Sequence, residues 1–362
     1  MANLDYNQFK NQTVNVGNNN IEVGGQRFDF NAQLDFGERG NVFAGQLANS
    51  VNHYSQLSGG SFKPQLAALL FISSGNPFAL DFYFPLTNQL NPQEHQNFYL
   101  LVREIISQPT FVLEVLGPNR TDSTSQIFYD VPYMVAGHLA EVFYARTDIL
   151  YQFLSGPRHF KLYTDGNAFA QDGGAAGGDY NPSTQSIQLV MSRLYEGYND
   201  KIPGVAPFYH EFGHMLDFYD VKTGRMDMSQ GLLPGMSQDD GPLFTPQART
   251  AFLRGKQLER ERYENFQNGT ARPGDPVPIG HPYVFQNDTE FIAGYFEMFF
   301  RNPSYMGQMN PDIYAGFAQL LRQDSKRSWP RDFPFYVNEN QKAYQVGGQR
   351  PNPHHITSPN RY

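Results

Sequence analysis

Apolar positions along this chain follow two different periods, and the balance between them shifts near residue 131. Upstream, short apolar stretches at 28–36, 78–84 and 111–116 are bounded by Asn, Gly and Pro, the pattern of strands closed by turns. Helical spacing is confined there to 44–57 and 98–108. From 132 onward the helical period dominates. Residues 134–154 carry it and stop at Ser155-Gly156-Pro157, a helix terminator. Residues 160–163 predict a short strand and 172–178 a glycine-rich loop, while 186–191 alternate as a half-buried strand does. Further helices are expected at 246–268, 288–301 and 311–323, with loops over 221–245 and 273–282. The run of charges in 246–268 predicts a solvated face. Residues 1–131 are thus expected to form a β-rich N-terminal domain. Residues 132–323 are expected to form an α+β domain with an insertion at about 221–280, and 324–362 an extended tail rich in Pro and Asn.

A chain of 362 residues can bury a sizeable core in one or two such domains. Its net charge of −8, without basic clusters, argues against nucleic acid or an anionic membrane as partner. The longest apolar run, 66–72, is too short to span a bilayer. Residues 1–10 lack the basic and apolar blocks of a signal peptide, so a soluble protein is expected, with any export by a non-classical route. The glycine-rich loop lacks the lysine and the strand-to-helix setting of a phosphate loop, so no nucleotide site is expected. The absence of cysteine matters most for the chemistry. It removes disulfides, thiolate metal sites and a cysteine nucleophile, and leaves any metal to His, Asp and Glu.

Two histidines have the spacing such a metal needs. Tyr209-His210-Glu211-Phe212-Gly213-His214-Met215-Leu216-Asp217 reads His-Glu-x-x-His, which on a helix puts both imidazoles on one face. Glu211, between them, can take a proton from a water that the metal activates. Phe212, Met215, Leu216 and Phe218 supply an apolar face to bury. A catalytic zinc usually takes a third protein ligand, and two carboxylates compete for the place. Asp220 lies ten residues after His210, the spacing of sites in which the chain turns at a glycine and returns a ligand, although Asp217 stands at the turn. Glu290 opens a second amphipathic helix, from which a carboxylate could complete a His, His, Glu site.

The pair His-Glu-Phe-Gly-His-x-x-Asp at 210–217 and Glu-Phe-x-Ala-x-x-Phe at 290–296 resembles the catalytic domain of anthrax lethal factor and its relatives, among them the secreted clostridial Pro-Pro endopeptidases. The resemblance covers roughly 132–322. It implies a zincin-type metallopeptidase domain: a small mixed sheet with an edge strand, the His-Glu-x-x-His helix and a helical C-terminal subdomain. It implies Glu290 as the third ligand of one Zn²⁺ per chain, and Tyr283, seven residues earlier, as hydrogen-bond donor to the oxyanion. It also matches 186–191 to the edge strand and 310–317 to the closing helix. Two features depart from the relatives. The interval from His214 to Glu290 is longer, and Gly294 stands where lethal factor has a second acid. Glu297 and Asp217 are candidates for that acid's role as outer partner of a ligand.

These residues predict a zinc endopeptidase acting on a peptide or protein, with Glu211 as general base and Tyr283 at the oxyanion. The competing expectation is a zincin scaffold retained without catalysis, as a binding or structural component of a larger assembly. A carrier or assembly partner held through residues 1–131 is suggested by the toxin relatives alone.

Overall fold

The computed structural model describes residues 90–116, 131–163, 166–174, 177–194, 206–220, 225–226, 245–328 and 342–345, together with the backbone of five short upstream strands. Three of these, β1 (Val14–Val16), β2 (Asn20–Val23) and β3 (Gln26–Asp29), form an antiparallel sheet, and β4 (Leu34–Asp35) pairs with β5 (Asn41–Val42). The expected helix at 44–57 and strand at 78–84 lie outside the described residues.

The main sheet has the order β6-β7-β9-β8. It is built from β6 (Phe111–Leu116), β7 (Arg158–Tyr163), β9 (Ser186–Val190) and β8 (Gly178–Asn181). The first three run parallel and β8 is antiparallel, with Leu113, Phe160, Ile187 and Tyr180 aligned across them. The resemblance put the edge strand at 186–191. It is β8 that forms the edge, and β9 lies inside. Asn181 Oδ1 accepts from the amides of Ser183 and Thr184, and Gln185 takes a left-handed φ of 51°, so the chain folds back and lays β8 outside β9. Because both of its faces are covered, β9 buries Ser186, Ile187, Leu189 and Val190 rather than one face.

One face of the sheet, with Phe160, Leu162, Ile187 and Leu189, joins the main core. On the other, Tyr163 and Val190 pack with Ala168 and Phe169 of α4 (Gly166–Gln171). Helix α1 (Pro92–Ser107) starts at a capping box, Asn91 accepting from Glu94 N at 3.0 Å while Glu94 accepts from Asn91 N at 2.9 Å. Its Phe98, Leu101, Val102 and Ile105 enter the main core, so α1 and β6, expected within the N-terminal domain, share the core and sheet of the region beyond residue 131.

The helix expected over 134–154 is two: α2 (Val131–Phe143) and α3 (Thr147–Phe153). The break falls at buried Arg146, whose φ of −135° and ψ of 50° leave the helical region. There its guanidinium donates to Leu320 O at 2.8 Å and to Asp148 at 3.1 Å. A buried guanidinium needs such partners, and one continuous helix would not deliver it to them. The small α5 (Met191–Leu194) follows β9. Helix α6 (Pro207–Phe218) then leads to the short pair β10 (Tyr219–Asp220) and β11 (Arg225–Met226), described in backbone only.

The charged segment forms α7 (Pro246–Gln267), but its charges are not all solvated. Lys256 is 2% and Glu259 0% exposed. Gly255 brings α7 against α10 (Pro311–Leu321) so closely that a Cβ would lie 2.4 Å from Ile313 N, and Gly316 meets Phe252 in return. Glu259, thus enclosed, accepts from Arg262 (2.6 Å), Asn310 Nδ2 (3.1 Å), Ile279 N (2.8 Å) and Tyr295 OH (2.6 Å). One carboxylate therefore ties α7, the 279 loop, α8 (Asp288–Arg301) and the cap of α10 together. Helices α9 (Pro303–Met309) and α11 (Ser325–Ser328) complete the helical part. Among the described residues no helix is long and apolar enough to cross a membrane.

Replacing Glu259 by Ala strips four donors of their common acceptor and leaves Arg262 without its buried counter-charge. The expected loss is about 3–5 kcal/mol in urea unfolding of the full chain, and a loss under about 1 kcal/mol would contradict this role.

Candidate metal centre

Helix α6 begins with Pro207 at its first position, where a missing N–H costs nothing. Phe208, Phe212, Met215 and Leu216 are buried, with Phe212 edge-on to Phe143 and Phe153. That packing leaves His210 and His214 on the side facing α8. The two helices meet with almost no side chain between them. A Cβ on Gly213 would lie 2.9 Å from Ala293 Cα and 3.3 Å from the Phe296 ring. Asn287 caps α8 by accepting from Glu290 N at 2.9 Å, which sets Glu290 in the first turn.

The crossing puts Glu290 Oε2 3.0 Å from His210 Nε2 and 3.5 Å from His214 Nε2. One ligand atom from each residue falls within 4.8 Å of the others, so His210, His214 and Glu290 can hold a metal ion together. Bonds of about 2.0–2.1 Å in tetrahedral geometry separate neighbouring donors by roughly 3.3 Å, which both measured contacts bracket. The expected ligand set is therefore assembled. Asp220, the other candidate, has a side chain outside the described residues.

The site is rich in carboxylates. Burial opposes a charge on His210, but Glu290 and Glu297 overcome it and lift the imidazole to about 10. Burial likewise works against the Glu290 carboxylate, and the two histidines hold its pKa well below the usual range. Glu211 is lifted to about 7, first by burial and then by Glu290, Asp179 and Glu297, with His210 opposing. Tyr283 lies in the short 3₁₀ helix Pro282–Phe285, its amide donating to His281 Nδ1 at 3.2 Å. It is 45% exposed, its ring centroid lies 6.3 Å from that of His210, and burial and Glu290 push its phenol up to about 12.

Of the two proposed outer partners, Glu297 stands beside a ligand. Its Oε2 is 3.7 Å from His210 Nδ1, and its Oε1 accepts from Ala206 N at 2.6 Å, just ahead of α6. Asp217 is buried, with no hydrogen bond to its Oδ1; burial and then Asp288 raise its carboxyl to about 8, with Lys256 opposing. The sequence reading missed the clamp on α8, where Asp288 accepts from Lys256 Nζ at 2.9 Å and from Arg260. A signal was there: Ala248, Phe252, Lys256 and Glu259 repeat at helical spacing, so both charged residues share the apolar face of α7.

No protein-family model matches the chain, and no curated protein matches it in sequence.

Glu290→Ala removes the atom that lies against both imidazoles. Metal per chain, measured by elemental analysis after dialysis, should fall sharply while circular dichroism stays unchanged. Unchanged metal content would return Asp220 to the ligand set.

Proposed function

We propose that this protein is a zinc-dependent endopeptidase. The observation that carries the reading is the placement of one Glu290 oxygen against both Nε2 atoms, with Glu211 on the same helix as the histidines and Tyr283 across from them. Two imidazoles, a carboxylate and no sulfur form a donor set suited to a catalytic zinc that keeps a position for water or substrate. When bound there, zinc supplies Lewis acidity that polarises a carbonyl and lowers the pKa of water.

The remaining work falls to side chains of this chain. Glu211, beside His210 on the same helix, is suited to accept a proton from the attacking water and return it to the departing amine. Tyr283 keeps its phenolic proton, with its pKa pushed up to about 12, and can donate it in a hydrogen bond to the oxyanion as the carbonyl becomes tetrahedral. Its partial exposure lets it reach a substrate. Strand β8 runs beside α6, and among the described residues it pairs only with β9. Its other edge offers main-chain groups to an extended peptide.

A diverse peptide library incubated with the zinc-loaded protein tests the reading. Cleavage should stop with a chelator and return with zinc. Glu211→Gln should keep its metal and lose turnover by about 10²–10⁴-fold, and retained turnover would remove Glu211 as the base. Tyr283→Phe should lower kcat by about 10²–10³-fold with KM much less affected, and an unchanged kcat would take the phenol out of the reaction. A wild type that binds zinc and cuts nothing would favour a scaffold without catalysis.

A further inference from the structure

Tyr283 lies on a turn whose hold on the protein comes largely from elsewhere. Ile279 N donates to Glu259 of α7, and Gly280 O accepts from the hydroxyl of Tyr344 at 2.7 Å. Tyr344 belongs to the C-terminal segment expected to be an extended tail, yet it is completely buried. Its ring meets Phe266 edge-on at 5.0 Å and Tyr263 edge-on at 6.5 Å, both on α7. Tyr263 in turn stacks flat on Phe285 at 4.2 Å, two residues beyond Tyr283. The turn is therefore gripped on both sides of Tyr283, by a hydroxyl at Gly280 and by a pair of rings at Phe285. Gly280 is closely packed: a Cβ there would lie 2.8 Å from Val284 and 3.0 Å from Tyr295 OH.

We propose that Tyr344 is a positioning residue for Tyr283, so that residues 342–345 help to complete the reaction centre. The hydroxyl of Tyr344 fixes the carbonyl three residues ahead of the phenol, and without it that carbonyl loses its partner in a buried setting. The 3₁₀ helix then keeps its internal bonds, Val284 N to His281 O at 3.0 Å and Gln286 N to Tyr283 O at 3.1 Å, and the stack on Phe285, but loses the anchor at its entry. The phenol would then sample more positions and spend less time where an oxyanion forms. The kinetic consequence rests on the peptidase reading, whereas the anchoring of the turn does not.

Tyr344→Phe in the full-length chain separates the two, because it keeps the ring contacts and deletes only the donor. Hydrogen exchange at the amides of Val284 and Gln286 should quicken by roughly 5- to 100-fold, the range for an unsatisfied buried acceptor, while α6 and zinc affinity stay as in the wild type. The kcat for a cleaved peptide should fall with KM nearly constant. Unchanged exchange across 281–286 would overturn the proposal, as would a parallel loss of zinc affinity, which would mark a general loosening. Faster exchange in the variant, with a wild type that cuts no peptide, would confirm the anchor and reject the peptidase reading.

Discussion

The site depends on one close contact between two helices. Gly213 of α6 lies so near Ala293 of α8 that the smallest side chain at 213 would overlap the opposing backbone. Helices usually pack with side chains interleaved and axes 8–10 Å apart, and removing the side chain at the crossing draws the backbones together. The residues flanking this point are the ones that could hold a metal together. Gly213 is three residues past His210 and one before His214, and Ala293 is three past Glu290. A contact there brings the first turn of α8 over both imidazoles. Phe296, the second group a Cβ on 213 would meet, packs edge-on to Phe212 at 6.4 Å and sets the rotation of α8 about its axis.

A helix pressed on one side must be supported on the other. Behind α6, His138 of α2 stacks on Phe208 at 4.6 Å and meets Tyr209 edge-on at 4.7 Å. The Tyr209 hydroxyl donates to buried Glu141, and the Arg301 guanidinium from the last turn of α8 sits 4.3 Å from the Tyr209 ring. Burial raises the Glu141 carboxyl, with Arg301 and Tyr209 opposing, and burial and then Arg301 depress His138. A buried polar group left alone is costly, so these partners specify one arrangement of α2, α6 and α8 more sharply than apolar packing would. Glu297 extends the same logic to the front, joining Ala206 ahead of α6 to the ring of His210.

The grouping of His210, His214 and Glu290 was legible in the sequence because it resides in spacing. The imidazoles of an i, i+4 pair such as His210 and His214 share a face on a helix, and the resemblance of 290–296 to a known motif pointed to Glu290 beside them. What could not be read locally was set by long-range partners. Alternation in 186–191 marks a strand but does not say whether another strand will lie outside it; that was decided by the Asn181 turn. The pattern over 134–154 is helical on both sides of Arg146, and the break answers to Leu320, far along the chain. Tyr344 sits in a stretch rich in Pro and Asn with no periodicity to advertise its burial. It is the carbonyl of Gly280 and the rings of α7 that fix it.

The long interval between His214 and Glu290 acquires a physical meaning from these contacts. In sequence it is longer than in the family that the motifs at 210–217 and 290–296 resemble. In the fold, α7 from within that interval reaches each part of the site that α6 does not supply. Lys256 and Arg260 hold Asp288, two residues before Glu290, and Glu259 holds both Tyr295 of α8 and Ile279 ahead of Tyr283. Tyr263 and Phe266 then seat Tyr344 and, through Phe285, the turn that bears the phenol. Lys256 is depressed by its own burial, with Asp288 opposing, so a cation is kept in the interior at a cost that its partner must offset. Such a pair is a poor source of stability but a good source of register, because only one alignment of α7 along α8 brings the two charges together. This stretch thus orients Glu290 and Tyr283 with respect to each other, a task that the close contact at Gly213 cannot perform alone.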